Sequence, residues 1–328
     1  MLPSQGNPAV YLETDDRSVG QTAADALVAS AITRIETRLG HLLRGDEFAP
    51  VALQEAMAHA VLGGGKRIRP LMLIFMTSQN ELREAVLDAG CAVEMIHAAS
   101  LILDDLPCMD DATTRRGRVT THLQFGQSTA ILGAISLLTR SMSVLSGLEG
   151  VSAATRSRLV AILSNAVGQC GLAGGQELDV SGTNISRLPA EIEQVNWLKT
   201  GKLFAAIAEI AGLLGRKTEE QRTLLATFAH HLGAAFQTYD DYLDATASQE
   251  EAGKDIQKDA AKATLVSVLG FGQARMSCRE HLRLAEIALV QSDVNADPIR
   301  LILKRCLPLE TLGEAANTHT NTQDAFAQ

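Results

Sequence analysis

Aromatic residues are scarce in this 328-residue chain: one Trp, three Tyr and eight Phe. The apolar content is carried by Ala, Leu, Ile and Val instead, and the chain reads as mainly helical. No alternating polar–apolar run is long enough for a sheet. Cysteine is sparse and odd in number (91, 108, 170, 278 and 306), with no C-x-x-C pair. That disfavours a disulfide framework and a zinc site, and suits a reducing compartment. Positive charge is in deficit, with a net charge of −9. A general nucleic-acid binder is therefore disfavoured, and affinity for an anion has to come from a local basic cluster. No stretch of about 18 apolar residues is free of charge. The nearest, Ala89 to Leu103, contains Glu94 and His97. The first twenty residues have neither a basic start nor an apolar core, so no signal peptide or membrane span is expected, and the expected location is cytoplasmic.

What is present is helix after helix. The pattern predicts helices near 22–43, 50–62, 70–78, 82–106, 122–146, 154–174, 189–213, 218–247, 263–291 and 297–306. Gly63–Gly65, Pro107, Gly147, Gly182, Gly215 and Gly253 supply the breaks. No linker divides the chain. The expectation is an all-α bundle of about ten helices forming a single domain over 21–317. Loosely packed tails are expected at 1–20 and 318–328.

Two acidic motifs stand out. Asp104, Asp105, Asp110 and Asp111 put four carboxylates within eight residues at the end of an apolar helix. They repel one another, and the helix C-terminus adds further negative potential, so a hard cation such as Mg²⁺ is called for. On a straight helix Asp104 and Asp110 would be out of phase, so Pro107 must turn the chain if both are to converge. A solvated acidic turn is the bland alternative. In the second motif Gln237, Asp240 or Asp241, and Asp244 fall on one helical face, again suited to Mg²⁺. An exposed acidic face is the plain alternative here, and its coincidence with the first motif weakens both plain readings.

The basic residues cluster as well. Lys66, Arg67 and Arg69 follow the triple glycine. Arg115, Arg116 and Arg118 follow the first acidic motif. Either set can bind phosphate, and Arg115 and Arg116 can equally pair with the neighbouring carboxylates. Gly63–Lys66 is not a Walker loop, since Arg follows the lysine and no strand precedes it. Lys199, Thr200, Lys202, Lys254 and Lys262 are scattered further on. His97 lies two turns before Asp104 on the same face, where a satisfied core histidine is the alternative. Carboxylates beside cations describe a pocket for a Mg²⁺–diphosphate complex, and apolar walls suggest a hydrocarbon for the rest of the ligand.

The segments GGGKRIRP (63–70), EMIHAASLILDDLPCMDDATTRRG (94–117), KTG (199–201), FQTYDDYLD (236–244) and GKDIQKDAAKATLV (253–266) resemble, in order, the motifs of the trans-polyprenyl (isoprenyl) diphosphate synthases. The likeness is strongest to bacterial geranylgeranyl diphosphate synthases of carotenoid pathways. It implies an isoprenoid-synthase helical bundle around a central cavity, usually a homodimer. The implied activity is head-to-tail condensation of isopentenyl diphosphate with an allylic diphosphate. It further implies that Asp104, Asp110 and Asp240 ligate three Mg²⁺ ions, with Asp105, Asp241 and Asp244 in support. By the same likeness Arg115, Lys199, Thr200, Gln237, Lys254 and Lys262 hold the allylic diphosphate. Lys66, Arg69, His97 and Arg116 hold isopentenyl diphosphate. Relatives making a fifteen-carbon product often carry an aromatic residue near position 99. Here Ala99 and Ser100 are small, which favours a twenty-carbon product, with Met95, Ile96, Leu137 or Leu138 as the pocket floor. Gln176 and Asp179 match the family. Ala261, Gln127, Ala134-Ile135 and Cys170 depart from its commoner forms.

Rival readings are a farnesyl synthase, a terpene cyclase or head-to-head synthase, a regulatory subunit without activity, and a helical Ca²⁺-binding or scaffold protein. Small Ala99 disfavours the first, and the Lys66–Arg69 cluster the second pair. Both acidic motifs are complete, unlike those of regulatory subunits. No EF-hand loop is present.

Overall fold

The computed structural model describes residues 14–45, 47–78, 81–182, 185–246 and 263–308. The expected tail at 318–328, together with Lys254, Ala261 and Lys262, lies outside the described residues. Among the described residues the chain is all-α apart from one small hairpin. The helices are α1 (Thr14–Leu42), α2 (Val51–Leu62), α3 (Ile68–Thr77), α4 (Arg83–Asp104), α5 (Thr121–Phe125), α6 (Gln127–Ser146) and α7 (Ala153–Val167). They continue with α8 (Leu172–Ser181), α9 (Pro189–Asn196), α10 (Lys202–Leu214), α11 (Glu219–Thr246), α12 (Leu265–Gln291) and α13 (Ala296–Cys306).

Helix α4 is the centre. It is apolar on nearly every face, which is the pattern of a fully enclosed helix. Its residues Ala89, Val93, Met95, Ile96, Ala99 and Ile102 are all buried. Helices α1, α2, α3, α6 and α10 pack around it, and α11 pairs with α10 and α12. By length and mean hydropathy α4 and α6 would both pass as membrane spans, but most of α4 is inside the bundle.

Helix α1 begins at Thr14, ahead of the expected residue 22. Four expected helices are interrupted, each for a local reason. The 263–291 segment kinks at Gly270 (φ 80°, ψ 160°). The 122–146 segment breaks at Gly126, whose φ of 87° only glycine adopts readily. The 154–174 segment ends at Val167, and Gly168 and Gly171 turn the chain into α8. The 189–213 segment contains one wide turn of π-helix, Trp197–Gly201. The expectation of no sheet also needs a small correction. Thr114–Arg115 (β1) pairs antiparallel with Arg118–Val119 (β2), with Arg115 opposite Arg118. The loop residues Arg116 (φ 54°) and Gly117 (φ 70°) are both left-handed, as a two-residue type I′ hairpin requires.

Candidate active site

The first acidic motif is a wound-back loop, not a continued helix. The Asp110 amide donates to the Asp104 carbonyl at 2.9 Å, and the Ala112 amide to the Asp105 carbonyl at 3.2 Å. Asp110 therefore returns beside Asp104, as the turn at Pro107 was expected to arrange. Burial raises the Asp104 carboxyl to about 6, Lys199 opposes that rise, and Asp110 adds to it. Burial also raises Asp105, against the opposing charge of Arg115. Arg115 donates from Nε and Nη2 to Asp105 Oδ1 at 2.9 and 2.6 Å.

The two basic clusters divide their labour. Arg67 is wholly buried at the left-handed start of α3 (φ 50°). It donates to Glu94 at 2.8 Å, to Glu36 at 2.6 and 3.1 Å, and to the Val61 carbonyl at 2.6 Å. Arg116 donates to the Gly64 carbonyl at 2.7 Å and lies 3.5 Å from Glu94. The triple glycine is the seat for this arginine. A Cβ at Gly65 would stand 2.8 Å from Arg116 Cζ. Glu94, inside an apolar helix, is thus the anchor of both clusters. Sequence reading saw it only as a charge breaking an apolar run, because its partner is 27 residues away.

Arg69 points elsewhere. Its guanidinium lies 5.2 Å from the Phe204 ring centroid. Its Nε is buried with no hydrogen-bond partner. Burial lowers its pKa to about 10, with Glu94 and Asp240 pulling upward and Arg116 downward. Arg69 therefore sits within reach of both halves of the site. Burial holds the His97 imidazole well below its usual value, and Arg69, Arg116, Arg115 and Arg67 push the same way. His97 is neutral at physiological pH, inside a dense positive field. Lys66 reaches the Cys306 carbonyl at 3.4 Å.

The second half is built on the π-turn and α11. Lys199 Nζ lies 2.7 Å from Asp179 Oδ2. Thr200 Oγ1 donates to Gln237 Oε1 at 2.7 Å, and Gln237 Nε2 donates to Asp241 Oδ1 at 2.9 Å. Asp241 is thereby tied to its own helix face, and the charge of Asp240 is near enough to act on Arg69. Asp244 is buried. Gln176, three residues before Asp179, has both amide atoms buried without a partner. Ala99 is fully buried, and Ser100 donates to its own helix at the His97 carbonyl. The deeper positions Met95, Ile96 and Leu137 are buried and Leu138 is partly buried.

The residues suit an absent metal–diphosphate group. Asp104 and Asp110 crowd two half-buried carboxylates into one turn, which a hard cation would relieve. Arg69 Nε and the Gln176 amide are buried donors still open to an anionic ligand. Among the described residues no three His, Cys, Asp or Glu side chains already form a metal cage. Mg²⁺ rarely uses one, since it is commonly held by one or two carboxylates plus substrate phosphates and water.

Residues 50–296 match the family model described as polyprenyl synthetase. The chain is 41% identical over 267 residues to a geranylgeranyl diphosphate synthase of Pantoea ananas, covering 80% of this chain and 85% of that one. It is 38% identical over 242 residues to a farnesyl diphosphate synthase of Bacillus subtilis (strain 168), covering 72% and 82%. Among solved structures, a geranyltransferase of Helicobacter pylori complexed with magnesium and isoprenyl diphosphate superposes with a TM-score of 0.75 at 29% identity, over 96% of this chain and 99% of that one. An apo FPP/GFPP synthase of Zymomonas mobilis gives 0.75 at 31% identity, over 87% and 98%.

Proposed function

The chain belongs to the polyprenyl synthetase family and is a prenyltransferase, and we propose that its product is the twenty-carbon geranylgeranyl diphosphate. The substrates would be isopentenyl diphosphate and a shorter allylic diphosphate, farnesyl above all. The observation that carries this reading is the folded-back acidic turn: the Asp110 amide bonds the Asp104 carbonyl at 2.9 Å, so both carboxylates leave one turn, near enough to Lys199 for its charge to act on Asp104. The likeness to the Pantoea ananas geranylgeranyl synthase and the small, buried Ala99 favour the longer product.

Asp104, Asp110 and Asp240 are the residues placed to hold Mg²⁺, with room in the proposal for three ions. When bound, Mg²⁺ neutralises the diphosphate and makes it a better leaving group. Lys199, Thr200, Gln237 and Arg115, with Lys254 and Lys262, would grip the allylic diphosphate. Lys66, Arg69, His97 and Arg116 would hold isopentenyl diphosphate. Arg69 and neutral His97 are buried, so their contacts with an anion act in a medium of low polarity. The allylic C–O bond breaks and its electron pair leaves with pyrophosphate. The isopentenyl double bond then attacks the allylic carbon, and the released pyrophosphate takes the proton lost. No side-chain base is needed.

A homodimer is part of the same proposal. Leu123, Ile131, Leu132 and Ile135 form an exposed apolar face on α5 and α6, of the kind a second copy covers. The protein would act in the cytoplasm, in carotenoid synthesis.

Similar identity to a farnesyl synthase keeps a fifteen-carbon product as the second reading. Labelled isopentenyl diphosphate is incubated with farnesyl, geranyl or dimethylallyl diphosphate, with and without Mg²⁺, and the dephosphorylated product is sized. Magnesium-dependent geranylgeraniol is expected. Arrest at farnesol would overturn the longer product. No elongation from any primer would favour a regulatory subunit. Ala99→Phe should shorten the product by one five-carbon unit, and an unchanged product would place the floor elsewhere.

A further inference from the structure

The chain has one tryptophan, and it stands at the first position of the π-turn that carries Lys199 and Thr200. A π-turn is a widened turn, and the space it opens must be filled from one side. Trp197 fills it. A Cβ added at Gly201 would stand 2.2 Å from Trp197 Cε3 and 2.7 Å from Cζ3, so the indole lies directly against that glycine. The ring also meets His230 on α11 at a centroid distance of 4.8 Å, and the Lys202 ammonium sits 5.8 Å from its centroid. Three residues beyond His230, a Cβ at Gly233 would approach Gly201 Cα to 2.8 Å. The π-turn therefore rests on α11 at two points, through the indole and through bare backbone. Helix α11 carries Gln237 and Asp240 onward from that seat. Beside the indole is a small cleft of about 80 Å³, bordered also by Glu193, Thr238 and His281.

We propose that Trp197 is a positioning residue: its indole wedges the π-turn against α11 and so fixes Lys199 and Thr200 relative to Gln237 and Asp240. Without the wedge the wide turn can rewind toward a regular helix, which turns the following residues by about 100° per position shifted. Lys199 and Thr200 then leave the allylic diphosphate, while Lys66 in the loop before α3, Arg69 on α3 and His97 on α4 stay in place. The inference rests on the prenyltransferase reading and on the assignment of Lys199 and Thr200 to the allylic substrate.

The test varies the two substrates separately. Trp197→Ala should raise KM for the allylic diphosphate about tenfold or more, with KM for isopentenyl diphosphate changed less than about twofold. Trp197→Phe should recover most of the loss. A drop in kcat with both KM values unchanged signals fewer active molecules and overturns the proposal, as does an equal rise in both. Should the alanine variant fail to fold, the wild-type protein still decides the matter. Its single tryptophan reports this turn, so a non-reactive allylic diphosphate analogue with Mg²⁺ should shift its emission, and isopentenyl diphosphate alone should not. Unchanged emission on saturation with the analogue overturns the proposal. A wild-type protein that elongates no primer, yet shows the emission shift, sinks the prenyltransfer reading and leaves the wedge standing.

Discussion

The two halves of the site are held by different forces. Around α4 the scaffold is charge on charge: Arg67 between Glu36 and Glu94, Arg116 beside Glu94, Arg115 on Asp105. Around the π-turn one ion pair, Lys199 with Asp179 at 2.7 Å, is joined by close shape. Gly175, Gly201 and Gly233 allow contacts that any Cβ would block, and the Thr200–Gln237 bond is neutral. The contrast follows from what each half must present. The α4 half has to keep several like charges in one buried place, which demands counter-charges that no ligand can displace. The π-turn half has to aim two side chains, and close packing fixes direction better than long ionic side chains do.

The largest expected effect breaks the charged half. Arg67→Ala leaves Glu94 buried without its main partner and should cost about 3–5 kcal/mol of stability, read by urea unfolding. A loss below about 1 kcal/mol would show that Arg116 alone can satisfy Glu94. Next, Asp104→Asn preserves shape but removes a charged metal ligand, and should reduce kcat by about 10²–10³-fold at saturating Mg²⁺. Turnover near wild type would remove Asp104 from the metal site. Breaking the shape-held half is milder. A Cβ at Gly175 would stand 2.4 Å from the Lys199 amide nitrogen, and Gly175→Ala should cost about 1–3 kcal/mol by overpacking. It should weaken allylic-substrate use with isopentenyl binding intact; equal loss for both substrates would erase the distinction between the halves.

The smallest effect separates them by acid. Asp104 is raised to about 6 in the metal-free protein. A carboxyl raised on folding destabilises the folded state above that pH, and this cost fades as pH falls through 6 toward its unfolded value. Mg²⁺ needs the ionised form, so its affinity should fall by about tenfold per pH unit below 6. Calorimetric titration of Mg²⁺ checks this, and a flat profile from neutral pH to well below 6 would contradict the burial of Asp104.

Much of this was legible in the chain. The acidic motifs, the central buried helix and the helical class follow from local patterns of spacing and composition. The interruptions were less visible: the glycine breaks at 126 and 168–171 lie inside otherwise helical sequence, and the π-turn is packed against residues far along the chain. The π-turn sits in sequence that reads as one continuous helix, and its width is set by Gly175, Trp197 and Gly233 together. The hairpin did have a signal in Arg116-Gly117, a pair suited to two left-handed positions, masked by the density of arginines around it. The choice between Arg67 and Arg69 could not be made locally either. One is bound to Glu36 and Glu94, and the other lies against the Phe204 ring with its Nε unbonded.

The wound-back loop has a consequence for how this enzyme can change over time. Its base is closed by main-chain hydrogen bonds from Asp110 to Asp104 and from Ala112 to Asp105. Its tip, Pro107, Cys108 and Met109, stands exposed. Length at the tip is thereby decoupled from spacing at the base. Residues can be gained or lost there by insertion and deletion while the carboxylate at each end keeps its place, so the loop is a part that evolution can lengthen without redesigning the chemistry beneath it.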